Sequence, residues 1–379
     1  MGKTVKQGYV LASTLEKSMF IATKNQGTEI NLAGCKIKQT QKYKYLADII
    51  TPTGNLDETI HQRNNQILGI TAELSTIISL IDETGLHISV AIAYYRAIII
   101  PKLLTNSETW NNISQANMKQ LEAIQNKSLK RLLRLPQGTP SQALRNELGI
   151  WDIKTTIYGK QLMYLHKILN YPENNLTRQV LFNQMKQPGN TWWSSLIETC
   201  KQINMQFTIE DIMKISKFKW KKHVNEKLLK YQEIIFNEWV KTSTKCQKMK
   251  FSPKMQGYLS QLNKKEAMTI LKERTGMTSV KVNYKNMYTD LLCRMCHQAD
   301  ETIQHLMQCY NTNNPENHQI SATEEIIDNI SSCSIEEIKR LAQIIQTVLE
   351  ALTSIPDEVP TITTRDGASD DDEGHTISK

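Results

Sequence analysis

SQANMKQLEAIQNKSLKRLLRL, residues 114–135, splits into two faces when wound at about 100° per residue. Met118, Leu121, Ile124, Leu129, Leu132, Leu133 and Leu135 fall within one half-cylinder, and Lys119, Lys127, Lys130, Arg131 and Arg134 lie opposite them. The apolar half must pack on a core, while the basic half presents five cations spaced to follow a phosphate backbone. An ordinary solvated outer face is the competing reading of such a stripe. Ser114 is a candidate N-cap, and Pro136 with Gly138 stops the helix.

Working outward, apolar residues recur at helical spacing from Leu56 to about Ile81. A second helix is expected from Gly85 to Ile100, with Pro101 interrupting it. Beyond residue 135, Thr139-Pro140-Ser141-Gln142 predicts an N-cap with Pro at N1 and a capping-box Gln. The first fifty residues differ. Met19 to Thr23, Lys36 to Thr40 and Tyr45 to Ile50 read as short strands, with turns at Asn25-Gln26-Gly27 and Ala33-Gly34. The expected fold class is therefore mainly α, with a small N-terminal β-hairpin region, a helical bundle, a small metal knuckle and a disordered acidic tail.

The knuckle is read from Cys293, Cys296, His305 and Cys309, spaced C-x2-C-x8-H-x3-C. A C-x2-C step lets both sulfurs point inward from a tight turn, and H-x3-C puts imidazole and thiolate one helical turn apart. Together they offer four N/S ligands for tetrahedral Zn²⁺. The 17-residue window is polar (Arg294, Gln298, Asp300, Glu301, Gln304) and holds little core of its own, so metal binding would supply folding free energy. Ordinary buried cysteines are the alternative, and His297 beside Cys296 could replace His305.

Charge is unevenly distributed. Residues 310–355 and 356–379 each carry a net −5, so residues 1–309 carry +18 within the overall +8. A basic body of that size suits a polyanion, RNA or DNA, with a solvated Lys-rich surface as the competing reading. A second lysine concentration, Lys214, Lys217, Lys219, Lys221 and Lys222 around Phe218 and Trp220, mixes charge with stacking surface. It reads either as a site for single-stranded nucleic acid or as a core helix with a basic rim. The longest apolar stretch, Ile88 to Leu104, contains Arg96 and Pro101, so no membrane span is expected. The N-terminus lacks a secretory layout, which predicts an intracellular chain, nuclear or cytoplasmic, with reduced cysteines. No Gly-rich phosphate loop, G-x-S-x-G or H-E-x-x-H motif occurs. Asp370-Asp371-Asp372 lies in a Gly/Ser/Asp tail too loosely patterned to hold two metal ions about 4 Å apart.

Several segments, taken in order, carry a family resemblance. Gly8 through Lys17-Ser18-Met19 resembles the palm segment that follows the catalytic aspartates of reverse transcriptases. Tyr43-Lys44-Tyr45-Leu46 resembles the primer-grip hairpin, with Ala47 where a glycine is usual. Pro101 to Leu104 with Glu108-Thr109-Trp110 is similar to a thumb signature, in which Thr105-Asn106 replace Tyr-Gly. Leu121-Glu122, Gln125, Leu132 to Pro136, Thr139-Pro140, Ala143-Leu144 and Glu147-Leu148-Gly149 follow in the same order. The Cys293–Cys309 knuckle comes next, with Glu301-Thr302 and His305-Leu306. Across roughly residues 8–310 the chain resembles the C-terminal half of a non-LTR (LINE-type) retrotransposon reverse transcriptase.

The resemblance implies binding of template RNA or primer DNA. It divides the chain into a palm remnant and hairpin (1–55), a thumb-like helical domain (56–170), a helical basic linker (171–285), the knuckle (286–310), a C-terminal helical segment (311–355) and the acidic tail (356–379). The family's Tyr-x-Asp-Asp turn would lie before Met1, so the chain alone is expected to be inactive as a polymerase. If the chain instead works in trans with a separate palm, Lys17 is the one retained candidate for palm chemistry, against a plain solvent-exposed strand-end lysine. Pro356-Asp357 with Asp370 matches a nuclease pattern only loosely. Two further readings compete. One is a host zinc-binding scaffold that meets protein partners through the knuckle or C-terminal helix. The other is a subunit of a split polymerase.

Overall fold

The computed structural model describes residues 19–20, 30–32, 35–81, 88–187, 189–313 and 323–355. Among the described residues five short strands come first: β1 (Met19–Phe20), β2 (Ile30–Leu32), β3 (Cys35–Gln39), β4 (Tyr43–Tyr45) and β5 (Asp48–Ile50). Then follow α1 (Asp57–Ile81), α2 (Ile88–Tyr94), α3 (Ile100–Leu103), α4 (Gln115–Leu132), α5 (Ser141–Leu148) and α6 (Ile153–Leu169). Next are α7 (Leu176–Lys186), α8 (Trp192–Gln202), α9 (Ile209–Lys214), α10 (Lys217–Thr242), α11 (Tyr258–Gln261) and α12 (Lys264–Arg274). The helices end with α13 (Ile303–Asn313), α14 (Thr323–Asp328) and α15 (Ile335–Thr353). The molecule is mainly helical, as its apolar periodicity implied. None of its described helices is long and apolar enough to cross a membrane.

Small polar residues start most of these helices. Ser114, Asp152, Thr191, Thr208, Ser216, Asn263 and Ser334 each accept the backbone N–H three residues on, satisfying a donor that the first turn leaves free. The capping box expected at Thr139–Gln142 does not form. The Thr139 hydroxyl instead donates to the Pro136 carbonyl at 2.7 Å, and α5 starts at Ser141 behind Pro140. Helix α4 ends earlier than its leucine pattern suggested. Arg134 turns to φ +51°, the Leu135 N–H reaches the Lys130 carbonyl at 2.8 Å, and the Arg134 N–H reaches that of Arg131 at 3.2 Å. This is a Schellman closure with arginine where glycine is usual.

Pro101 does not stop its helix. Residues Tyr95–Ile99 form a π-turn, after which α3 carries the helix on to Leu103. Widening the turn ahead of a proline relieves the clash between its ring and the carbonyl four residues back, so the helix continues in spite of the missing N–H.

The stretch from Tyr45 to Ile50 is not one strand. β4 and β5 pair antiparallel, Tyr43 with Ile50 and Tyr45 with Asp48, around a two-residue turn at Leu46 (φ +46°) and Ala47 (φ +76°). Two positive φ values define a type I′ turn, a site that favours glycine. Replacing Ala47 by Gly is expected to stabilise the hairpin by about 0.5–1 kcal/mol, net of the entropy glycine adds to the unfolded chain. Slower amide exchange across Tyr43–Ile50 would report it, and faster exchange would refute it. β3 pairs parallel with β1 and antiparallel with β2. The sequence reading missed β2, and the expected turns at 25–27 and 33–34 lie outside the described residues.

Two large cores organise the helices. The first gathers α1 to α5, α11 to α13 and α15, with Ile67, Tyr95, Leu121, Leu144, Ile270 and Ile345 fully buried. The second gathers α6 to α10 around Leu162, Leu165, Trp220, Val224 and Leu228. These cores cut across the division read from the sequence, because α6 packs on α10 of the supposed linker and the knuckle residues Cys293 and Leu306 belong to the first core. Beside the first core, Gly149 (φ +58°) ends α5, and a Cβ there would lie 2.3 Å from the Met255 backbone nitrogen, so only glycine fits. Beside it the Glu147 carboxylate, fully buried, accepts from Arg274 and from the Tyr258 hydroxyl, each at 2.7 Å.

Candidate metal centre

Cys293 and Cys296 sit on a tight turn that a short antiparallel bridge between Leu292 and Asp300 closes. The Cys293 N–H donates to the Ala299 carbonyl at 2.7 Å, and the His297 N–H to the Cys293 carbonyl at 2.8 Å. The Met295 N–H points at the Cys293 sulfur, 3.4 Å away, so the turn directs backbone donors at a sulfur that carries charge when it binds metal. On the other side α13 carries His305 and Cys309 one turn apart, its start fixed by the Thr302 hydroxyl, which accepts the His305 N–H at 3.1 Å.

The four side chains converge. His305 Nε2 lies 3.1 Å from the sulfurs of both Cys296 and Cys309, Cys293 and Cys309 are 3.9 Å apart, and all four ligand atoms fall within 4.8 Å of one another. Tetrahedral N/S coordination at zinc bond lengths would set these edges at about 3.5–3.8 Å, so the set can hold a metal ion and suits zinc. It is the one group of three or more His, Cys, Asp or Glu side chains, among the described residues, that could share an ion. Of the two histidines the sequence offered, His305 joins the set, while His297 is exposed on the turn at φ +55°.

Electrostatics agree with a cation at this point. The Gln298 N–H and the neighbouring imidazole pull the Cys296 thiol down to about 6. Burial and the adjoining sulfurs push Cys309 up to about 12, a mutual opposition that a divalent cation between them removes.

Around these ligands stands a bracket that the sequence did not single out. Glu301, fully buried, accepts from Arg294 Nη2 at 2.6 Å, from Arg294 Nε at 2.8 Å, and from the backbone N–H groups of Arg294 and Lys281 at 3.1 Å. Burial alone would raise the Glu301 carboxyl, but these donors hold it below the ordinary carboxylate range. Arg294 lies between the two cysteines of the turn, so Glu301 fixes the turn from behind. A buried acid is hard to see in a polar window, because its spacing looks like that of any solvated acid.

The basic stripe of α4 is partly as read. Lys119, Lys127, Arg131 and Arg134 are exposed, while Leu121, Ile124, Leu129, Leu132, Leu133 and Leu135 are buried. Lys130 departs from the stripe. It is 8% exposed and its ammonium donates to the Gln137 carbonyl at 2.6 Å, so it ties down the chain after the helix instead of facing solvent. Burial, helped by Arg145, lowers its affinity for a proton. The lysine-aromatic cluster also divides. Trp220 is a core residue whose Nε1 donates to the Leu162 carbonyl at 2.9 Å, whereas Phe218 is 77% exposed. Lys17, Pro356-Asp357 and Asp370 to Asp372 lie outside the described residues.

No family model matches this chain, and no curated protein or solved structure matches it.

Proposed function

We propose that this chain is a zinc-stabilised nucleic-acid-binding fragment of a non-LTR (LINE-type) retrotransposon reverse transcriptase, which holds RNA or DNA along α4. The observation that carries the reading is the exposed row Lys119, Lys127 and Arg131 on a helix whose other face is buried leucine, continued by the exposed Arg134 of the turn that closes it. Such a helix can present cations without giving up its packing.

A second observation supports the reverse-transcriptase part. The segments that resemble the primer grip and the thumb are distant in sequence and meet in space. The Asn106 amide donates to the Leu46 carbonyl at 2.6 Å and to Asp48 at 3.2 Å, and the Ile49 N–H donates to the Thr59 hydroxyl at 2.8 Å. Arg63 pairs with Asp48, donates to the Leu103 carbonyl at 2.9 Å and lies 4.8 Å over the Trp110 ring. Asn106 occupies the left-handed region, φ +58°, at the position where the thumb signature would carry glycine. A hairpin braced in this way could guide a nucleic-acid end past the helices.

Converting Lys119, Lys127, Arg131 and Arg134 to Gln should flatten the slope of log K against log salt by about 2–4, at roughly 0.7–0.9 for each phosphate that is no longer neutralised. Lys130→Gln is the internal control. It should cost about 1 kcal/mol of stability through its lost hydrogen bond while leaving the slope unchanged. Equal slopes for the wild type and the fourfold variant, on RNA and on duplex DNA, would reduce the stripe to a solvated face.

A further inference from the structure

The α9–α10 corner carries a large aromatic ring in water among cations. On α10, Phe218 and Trp220 are two residues apart and so point to different sides, Trp220 into the second core and Phe218 outward. Lys221 and Lys222 follow Phe218 by three and four residues, which places both beside it on the helix surface. Lys214, Lys217 and Lys219 are exposed in the same stretch, and Met213, 37% exposed, adds apolar surface. None of these five lysines makes an ion pair among the described residues. Lys217 with Lys221, and Lys219 with Lys222, are like-charge pairs one turn apart that work against the helix. A polyanion laid across the corner removes that repulsion, and the exposed phenyl ring offers a face on which a flat group can stack. A single strand answers both the charge and the ring, whereas a duplex would hide its base faces from the ring.

We infer that Phe218 and the lysines around it form a stacking site for single-stranded nucleic acid, in which a base lies on the ring while Lys214, Lys217, Lys221 and Lys222 take the flanking phosphates. Because Trp220 is locked in the core and the Ser216 side chain caps the helix, the ring stands on a rigid base before any strand arrives. The site extends the nucleic-acid reading of α4 to a second surface and is testable apart from it.

The experiment titrates the full-length chain with a fluorescent single-stranded oligoribonucleotide and with a duplex of the same length, at fixed salt. Phe218→Ala should weaken single-strand binding about 5- to 100-fold and leave duplex binding within about twofold, while Phe218→Trp should retain single-strand affinity. If α4 carries no binding but this site does, the fourfold α4 variant will bind single strands normally and Phe218→Ala will not. Unchanged single-strand affinity in Phe218→Ala overturns the inference. So does an equal loss on both probes, or a change in sedimentation behaviour that shows the ring covered by a second copy of the chain.

Discussion

Removing metal from the Cys293, Cys296, His305 and Cys309 set is expected to lower the melting temperature of the whole chain by roughly 5–10 °C. At free zinc about a thousandfold above the dissociation constant, binding to the folded state alone contributes about 4 kcal/mol. The purified protein should carry one Zn²⁺ per chain. A polar window standing alone would be expected to unfold locally and leave the helices untouched. The packing predicts a wider effect, because Cys293, Ile303, Leu306 and Met307 are buried in the same core as α12 and α15. Losing the centre therefore loosens the packing of α13 on α15 as well. Cys293→Ser with Cys296→Ser should reproduce the effect of chelation, and chelation of that variant should change nothing further. Zinc content under about 0.2 per chain after metal-replete expression would reject the centre. Full zinc with an unaltered melting curve after its removal would reject the coupling to the core.

Glu147→Ala should destabilise the chain still more per substitution, by about 3–5 kcal/mol, because it leaves the Arg274 guanidinium buried and uncompensated. The carboxylate is fully buried, and the side chain of Arg274 is only 6% exposed. Arg274 also donates to the Ile327 carbonyl, and Tyr258 donates to Glu147, so the pair joins α5, α11, α12 and the end of α14. Glu147→Gln should cost less, since the one amide oxygen can still accept from Arg274 while the amide N–H donates to the Tyr258 hydroxyl. Replacing Glu147 and Arg274 together by apolar residues of similar volume should recover much of the loss. A Glu147→Ala loss under about 1 kcal/mol in urea unfolding would show that water reaches the pair.

The parts of this protein legible from sequence are those whose cause is local. The two faces of α4 follow from a 3.6-residue period, so the buried leucines and the exposed Lys119, Lys127 and Arg131 could be read directly. Cys293, Cys296, His305 and Cys309 were legible because ligand spacing is itself a local geometry, a turn on one side and one helical turn on the other. The charge asymmetry is additive and needs no structure at all. The tertiary structure decided whatever depends on distant partners. It withdrew Lys130 from the stripe, since only the chain beyond the Schellman turn brings the Gln137 carbonyl within its reach. It separated Phe218 from Trp220, because only packing on α6 shows which of two neighbouring aromatics the core takes. His305 was chosen over His297 by the direction of α13, and Glu301 became a bracket by burial behind the turn. Glu147 and Arg274 are 127 positions apart, so no local pattern could pair them. Periodicity and spacing report what a residue can offer, and packing decides which offers meet a partner.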